Sequence, residues 1–290
     1  MQPGVAGLRF RLSIAAGLFL FLFASTGGAG QQPEKSYHCI TAFDGGAVNW
    51  STGKIRAVGN ASPSDIHTLS HDWIQGAARA DANRSIIKIL KGIKLSTIQK
   101  VEEYAANNDV ILAGIEKTAR DAVILRQYYT SALAVEMTIE TSIYGGFLQL
   151  VLPENIRQIP KINPDLPGHP TDENSERLYT GLVIDATGLK FEPVLNPAIV
   201  SEQGHDVYSS AFISREFAVK NGVVKYLCSM KQALNDNRVG GNPLVLKGLR
   251  KENKENTSIV ISMTDYRILE KRVERHQFLR ECRIIIVKGS

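Results

Sequence analysis

His67 and His71 stand four residues apart, the spacing that sets two imidazoles on one helix face as in zinc sites. Thr68 occupies the place where a metalloprotease carries its glutamate base, and no third ligand is evident. Polar residues at a helix entrance account better for the pair, and no metal is expected. Asp185 closes an apolar run and precedes Thr187-Gly188. A carboxylate at a strand end is a frequent place for chemistry. It is also how a turn begins, since aspartate accepts from backbone N–H groups two residues on. No partner for Asp185 is identifiable, so the turn is the preferred reading. Gly240-Gly241-Asn242-Pro243 has the glycines of a phosphate cradle but not its Lys-Ser/Thr pair, and Pro243 lacks a donor. It reads as a loop before a strand. Neither a Gly-x-Ser-x-Gly elbow, nor a Gly-x-Gly-x-x-Gly fingerprint, nor a Cys-x-x-Cys pair occurs. No catalytic residue and no cofactor is therefore expected, and the chain reads as non-enzymatic. The rival hydrolase reading would be supported by a deep cleft on which His205, Asp185 or Asp206 converge.

Two tryptophans carry the binding readings. Trp50 is the candidate ligand contact, an indole that would stack on a sugar ring in a glycan- or peptidoglycan-binding module. Trp73 lies on a long helical stretch and is assigned to the core. Of three cysteines, an oxidising compartment would join two and leave one over. Cys228 and Cys282 fall in the same region and are the candidate pair; their apolar neighbours allow buried free thiols equally well.

These residues need elements to hold them. Gly46–Trp50 and Lys54–Gly59 read as extended pieces, the second a half-exposed strand, joined by a Ser51-Thr52-Gly53 turn. Ile74, Ala78, Ala82, Ile86, Ile89 and Ile93 form one apolar stripe, which predicts a helix over 71–91 that Gly92 ends. Its alanines let it lie close to a sheet. Further helices are expected over 96–106 and, capped by Asp109, over 109–118. Ala122–Tyr129 and Leu133–Ile143 form a hairpin. The second arm alternates strictly, with Val135, Met137 and Ile139 on one face and Glu136, Thr138 and Glu140 on the other. That predicts an antiparallel sheet with one wet face, backed by the alanine-rich helix. Five of the chain's 11 prolines crowd residues 153–170, which reads as a linker over 154–177. Beyond it, strands are expected at 178–186, 191–195, 198–200, 244–248, 258–262 and 283–287. A helix capped by Thr264 is expected over 265–279. Ile284-Ile285-Ile286-Val287 is apolar on both faces, as a central strand is. The fold class is α+β, an antiparallel sheet followed by a second, smaller α+β region over 178–290.

The N-terminus supplies an address. Arg9 and Arg11, an apolar run over 12–24 and a small-residue stretch over 25–30 have the order of an export signal. The run is too short for the roughly 20 residues that a bilayer span requires. No membrane span is expected after cleavage near residue 30, and residues 31–45 read as a flexible segment. Without Arg9 and Arg11 the 34 basic residues become 32 against 29 acidic ones, too balanced for a nucleic-acid partner.

Asn49-Trp50-Ser51-Thr52-Gly53, Ala57-Val58-Gly59 and Ala77-Ala78-Arg79-Ala80-Asp81-Ala82 resemble the LPP20-like domain, which also forms the N-terminal part of the flagellar assembly protein FlgT. Lys91-Gly92-Ile93, Tyr144-Gly145-Gly146 and Leu152-Pro153 continue the likeness over 46–153. Tyr179–Ala186, Gly240–Pro243 and Ile259–Ser262 resemble the second region of exported proteins that carry this domain. The resemblance implies an α+β protein at the periplasm or outer-membrane periphery of a Gram-negative bacterium. By analogy it suggests a binding or assembly role there, with another envelope protein or copies of itself as partner; peptidoglycan is the partner in the rival reading at Trp50. No lipid-acceptor cysteine follows the apolar run, so a lipid anchor is not carried over.

Overall fold

The computed structural model describes residues 38–63, 71–154, 156, 178–252, 258–272 and 275–289. The expected export signal, His67, the side chain of His71 and nearly all of the 154–177 linker lie outside the described residues. The fold is α+β, built on two sheets.

The first sheet comprises β1 (Ile40–Phe43), β2 (Gly46–Asn49), β3 (Lys54–Ala61), β4 (Val123–Tyr129) and β5 (Val135–Ser142). Its order is β1-β2-β3-β5-β4, antiparallel throughout. The period-two pattern sets its faces. Ile55 and Ala57 of β3 and Val135, Met137 and Ile139 of β5 are buried. On the opposite face Glu140 pairs with Arg56 at 2.8 Å and Lys54 at 3.6 Å. Helix α1 (His71–Gly92) covers the dry face. Its Ile74, Ile86, Ile89 and Leu90, and Ile93 just past its end, are sealed from water, each worth about 2 kcal/mol by area. The small side chains permit close approach. A Cβ on Gly59 would stand 2.2 Å from the Ala82 nitrogen and 2.3 Å from the Ala78 oxygen.

Residues 40–43 belong to the segment expected to be flexible, yet they form β1 because β2 offers them a full antiparallel register. The helix expected over 96–106 shrinks to α2 (Val101–Ala105). Leu95 and Ser96 instead donate to the Gln99 carbonyl and close a turn, and Glu103 accepts from the Lys100 N–H at 3.0 Å where the helix starts. For α3 (Asp109–Arg120) the cap is Asn108 rather than Asp109, its Oδ1 accepting from Val110 and Ile111. A short helix absent from the sequence reading, α4 (Gly146–Val151), follows β5.

The second sheet comprises β6 (Gly181–Asp185), β7 (Ile199–Ser201), β8 (Asp206–Tyr208), β9 (Lys225–Leu227), β10 (Pro243–Lys251), β11 (Ile259–Ile261) and β12 (Ile284–Val287). Its order is β8-β7-β11-β10-β6-β12-β9, with β10, β6, β12 and β9 mutually parallel. All four residues of β12 are buried, as an interior strand requires. Val183, Ile285 and Val287 face one apolar cluster with Leu227 and Ala233. Leu182, Ile184, Ile284 and Ile286 face the main core, which continues without a break into the first sheet's helices. Helices α5 (Arg215–Asn221), α6 (Met230–Leu234), α7 (Met263–Glu270) and α8 (Arg275–Arg280) complete this part. The single helix expected over 265–279 is therefore two, and Ser262 caps the first of them, not Thr264. Residues 191–195 form no strand.

Side chains at the junction join the sheets. Trp50 meets Tyr226 edge to face, with ring centroids 5.7 Å apart. Tyr144 lies between Gly53 (φ 69°) and Gly222 (φ 82°), where a Cβ would stand 2.2 or 2.5 Å from its ring. Arg215 donates to the carbonyls of Gln149, Leu152, Pro153 and Ile156, satisfying the open C-terminal end of α4.

Candidate functional site

Two features face outward with nothing to occupy them among the described residues. The first is the rim of the antiparallel sheet. Strand β4 pairs with β5 along one side and leaves its other side open. Helix α1 lies mainly over β3 and β5 and reaches β4 through the hydrogen bond from Gln75 Nε2 to Gln127 Oε1 at 3.1 Å. Val123, Ile124, Leu125, Tyr128 and Tyr129, with Leu133 in the adjoining turn, are all exposed large apolar side chains. A bulge between Ile124 and Arg126 bends the strand, and Arg126 puts a charge at its centre. Both devices restrict which strand can pair there.

The second is a cleft of about 740 Å³ between the sheets. Ser51 and Thr52 come from the β2–β3 turn, Tyr144 from the end of β5, and Phe217, Lys220 and Asn221 from α5. Lys225 on β9, Asn237, Arg238, Glu281, Cys282 and Arg283 complete it. Arg238 donates to the carbonyls of Cys282 at 2.7 Å and of Asn221 and Gly222 at 2.6 Å, which ties α5 to the segment before β12. Lys225 pairs with Asp236, and Arg283 with Glu281 at 2.7 Å. Lys220 is exposed and makes no ion pair among the described residues. Burial raises the Tyr144 phenol above its ordinary value, with a smaller lowering by the Arg238 charge and a smaller raising by that of Asp236. Burial likewise pushes the Cys282 thiol up to about 11, which leaves it protonated and inert near neutrality.

The residues singled out in the sequence take different places. Trp50 is only 4% exposed, and its Nε1 donates to Thr41 Oγ1 at 2.9 Å. An indole locked against Tyr226 has no face for a sugar, so Trp50 is a core residue. Trp73 shows the reverse, 56% exposed on the first turns of α1. The disulfide joins Cys39 to Cys228, and Cys282 is the buried free thiol. The expected Cys228–Cys282 pair fails because β9 and β12 run parallel. Cys228 follows the far end of β9, whereas Cys282 precedes the near end of β12.

Asp185 starts a turn. Its Oδ1 accepts from the Thr187 N–H at 3.1 Å and hydroxyl at 2.7 Å, and Lys247 Nζ stands 2.8 Å from Oδ2. Burial opposes the charge, but the Lys247 and Thr187 donors together outweigh it and hold the carboxyl below its ordinary value. His205 stacks on Tyr266, and Asp206 accepts from Ser209. Strands β7, β11 and β10 separate β8 from β6, so Asp185 lies roughly 19 Å from His205 and Asp206 at normal strand spacing. The three do not converge. Gly240–Pro243 is a loop leading into β10, tied to Thr180 through Asn242. Among the described residues no group of three potential metal ligands is assembled, and no helix is long and apolar enough to cross a membrane.

The sequence reading missed Lys220, Asn237, Arg238 and Arg215. Each is an isolated polar residue in a loop or short helix, and only the tertiary contacts give it a role. Tyr144 stood within a glycine-flanked motif, but nothing in that motif revealed that both neighbouring glycines are distant in sequence.

Residues 181–290 match the family described as Treponema pallidum Tp0624, second domain. The Tp0624 second-domain match takes in the whole of the seven-stranded sheet, from β6 to β12. It does not extend to the antiparallel sheet or to β4. No curated protein matches the chain.

Proposed function

We propose that this is an exported protein of the bacterial cell envelope whose work is binding or assembly, with the open rim of the first sheet as its contact surface. The observation that carries the reading is β4. Among the described residues no further strand pairs with this seven-residue edge, which bears five large exposed apolar side chains, a combination that invites an added strand. The occupant we favour is an extended segment of another envelope protein. A second copy paired antiparallel about the strand centre would set Arg126 against Arg126, which is unfavourable. The Cys39–Cys228 bond supports an oxidising compartment and hence export. The likeness of residues 46–153 to the LPP20-like domain supports the envelope class, and the flagellar relatives of that domain make a surface-structure role the natural extension.

The test is a substitution that spoils the rim and nothing else. In native gels of cell-envelope extracts the protein should migrate in an assembly containing a second exported protein. Ile124→Lys should release it as a lone chain, with its unfolding midpoint unchanged. Migration as a lone chain before substitution, or an assembly that survives Ile124→Lys, would contradict the reading.

A further inference from the structure

We propose that the cleft between the sheets binds an acidic saccharide, a sugar ring that carries a carboxylate. This goes beyond the assembly reading and uses different residues, so either can fail alone. Volume is the first argument. About 740 Å³ is in the range of small-molecule sites and far exceeds what a bare inorganic anion fills.

Charge is the second. Lys220, Lys225, Arg238 and Arg283 line or border the space, against Glu281 and the neighbouring Asp236. Four cations face two anions, and the two anions are already matched to Lys225 and Arg283. Arg238 is immobilised by three carbonyls, so its charge is a fixed part of the wall. Lys220 is the exposed cation of the cleft lining, without an acidic partner among the described residues.

The third argument is the kind of neutral group present. Asn221 and Asn237 are exposed, and neither side-chain amide has a hydrogen-bond partner among the described residues. With the Thr52 hydroxyl they offer donors and acceptors of the sort that ring hydroxyls need. Phe217 and Tyr144 supply aromatic surface, whose electron-rich face suits the C–H side of a sugar ring. A glycan role first looked for at Trp50 thus has a chemically complete place elsewhere, about a different set of residues.

The experiment is titration calorimetry on the purified, oxidised protein at low salt, with a uronic-acid disaccharide and its carboxyl-reduced neutral counterpart. A muramic-acid disaccharide, which carries the carboxylate on a lactyl ether, and citrate complete the panel. Saturable one-to-one binding of either acidic sugar, at least tenfold tighter than the neutral disaccharide, is expected; the tighter of the two names the source of the carboxylate. Lys220→Glu should weaken it at least tenfold and Asn237→Ala about threefold, with unchanged thermal unfolding since both side chains are exposed. The proposal is overturned by an absence of saturable binding, by equal affinity for the neutral sugar, by citrate binding as tightly as the sugars, or by indifference to Lys220→Glu.

Discussion

The antiparallel sheet ends on β4, seven residues long and exposed along nearly its whole length. The mixed sheet ends on β8 and β9, three residues each and mostly buried. Short covered edges offer little to an incoming strand, whereas a long open one does. The interiors differ in the same sense. β6 and β12 are buried on both faces, so their residues divide between two apolar clusters. β3 and β5 bury one face and give the other to Arg56, Lys54 and Glu140. The mixed sheet ends on short, mostly buried strands, and the antiparallel sheet is left available at its β4 rim. Where the chain makes contact should follow that difference.

The largest expected effect concerns what holds the two sheets to one another. The Cys39–Cys228 bond spans 189 residues of sequence, and closing so long a loop in the unfolded chain is worth roughly 5 kcal/mol. Reduction, or Cys228→Ser, should lower the unfolding midpoint by an amount corresponding to most of that. Non-reducing peptide mapping should give the Cys39 and Cys228 peptides joined, with Cys282 alkylated only after unfolding. A Cys228–Cys282 peptide instead would break the described junction.

Next comes the packing of the first sheet alone. Gly59→Ala sets a Cβ within 2.3 Å of the α1 backbone, so the helix must move off the sheet. A loss of about 2 kcal/mol in denaturant unfolding is expected. An unchanged midpoint would mean that α1 does not lie as close as described.

A smaller effect belongs to the second sheet. The Asp185 carboxyl is held below its ordinary value in the folded protein, so its contribution to stability is present above about pH 4 and is lost as the pH falls through the folded value. Asp185→Asn should cost about 1 kcal/mol at pH 7, measured by urea unfolding. The gap to the unsubstituted protein should close as the pH is taken below the folded value. A gap that persists in acid would assign the loss to packing instead of charge.

Much of this architecture was legible wherever one period dominated. Val135, Met137 and Ile139 announced a one-sided strand, and Ile284–Val287 a central one. The alanines of α1 announced a helix that approaches a sheet closely. Boundaries governed by side-chain hydrogen bonds were not legible, because Asn108 against Asp109 and Ser262 against Thr264 offer equivalent caps in sequence. The site was far less readable. Trp50 and Trp73 exchanged their expected places because a lone indole carries no periodic signal of its side. Cys39 was passed over as a partner because 189 residues separate it from Cys228, and no local pattern reports such a distance. The cleft draws Thr52, Lys220 and Asn237 from three separate segments, and the rim of the sheet is visible only once the order of the strands is known.

The contrast between a long exposed rim and short covered edges is tested most directly by photo-crosslinking in intact cells. The crosslinking side chain is placed either at Leu125 on β4 or at Val245 on β10, both exposed on the surface. From Leu125 the account predicts a discrete adduct with another exported protein, and from Val245 none. Equal adducts from both positions, or none from Leu125, would contradict it.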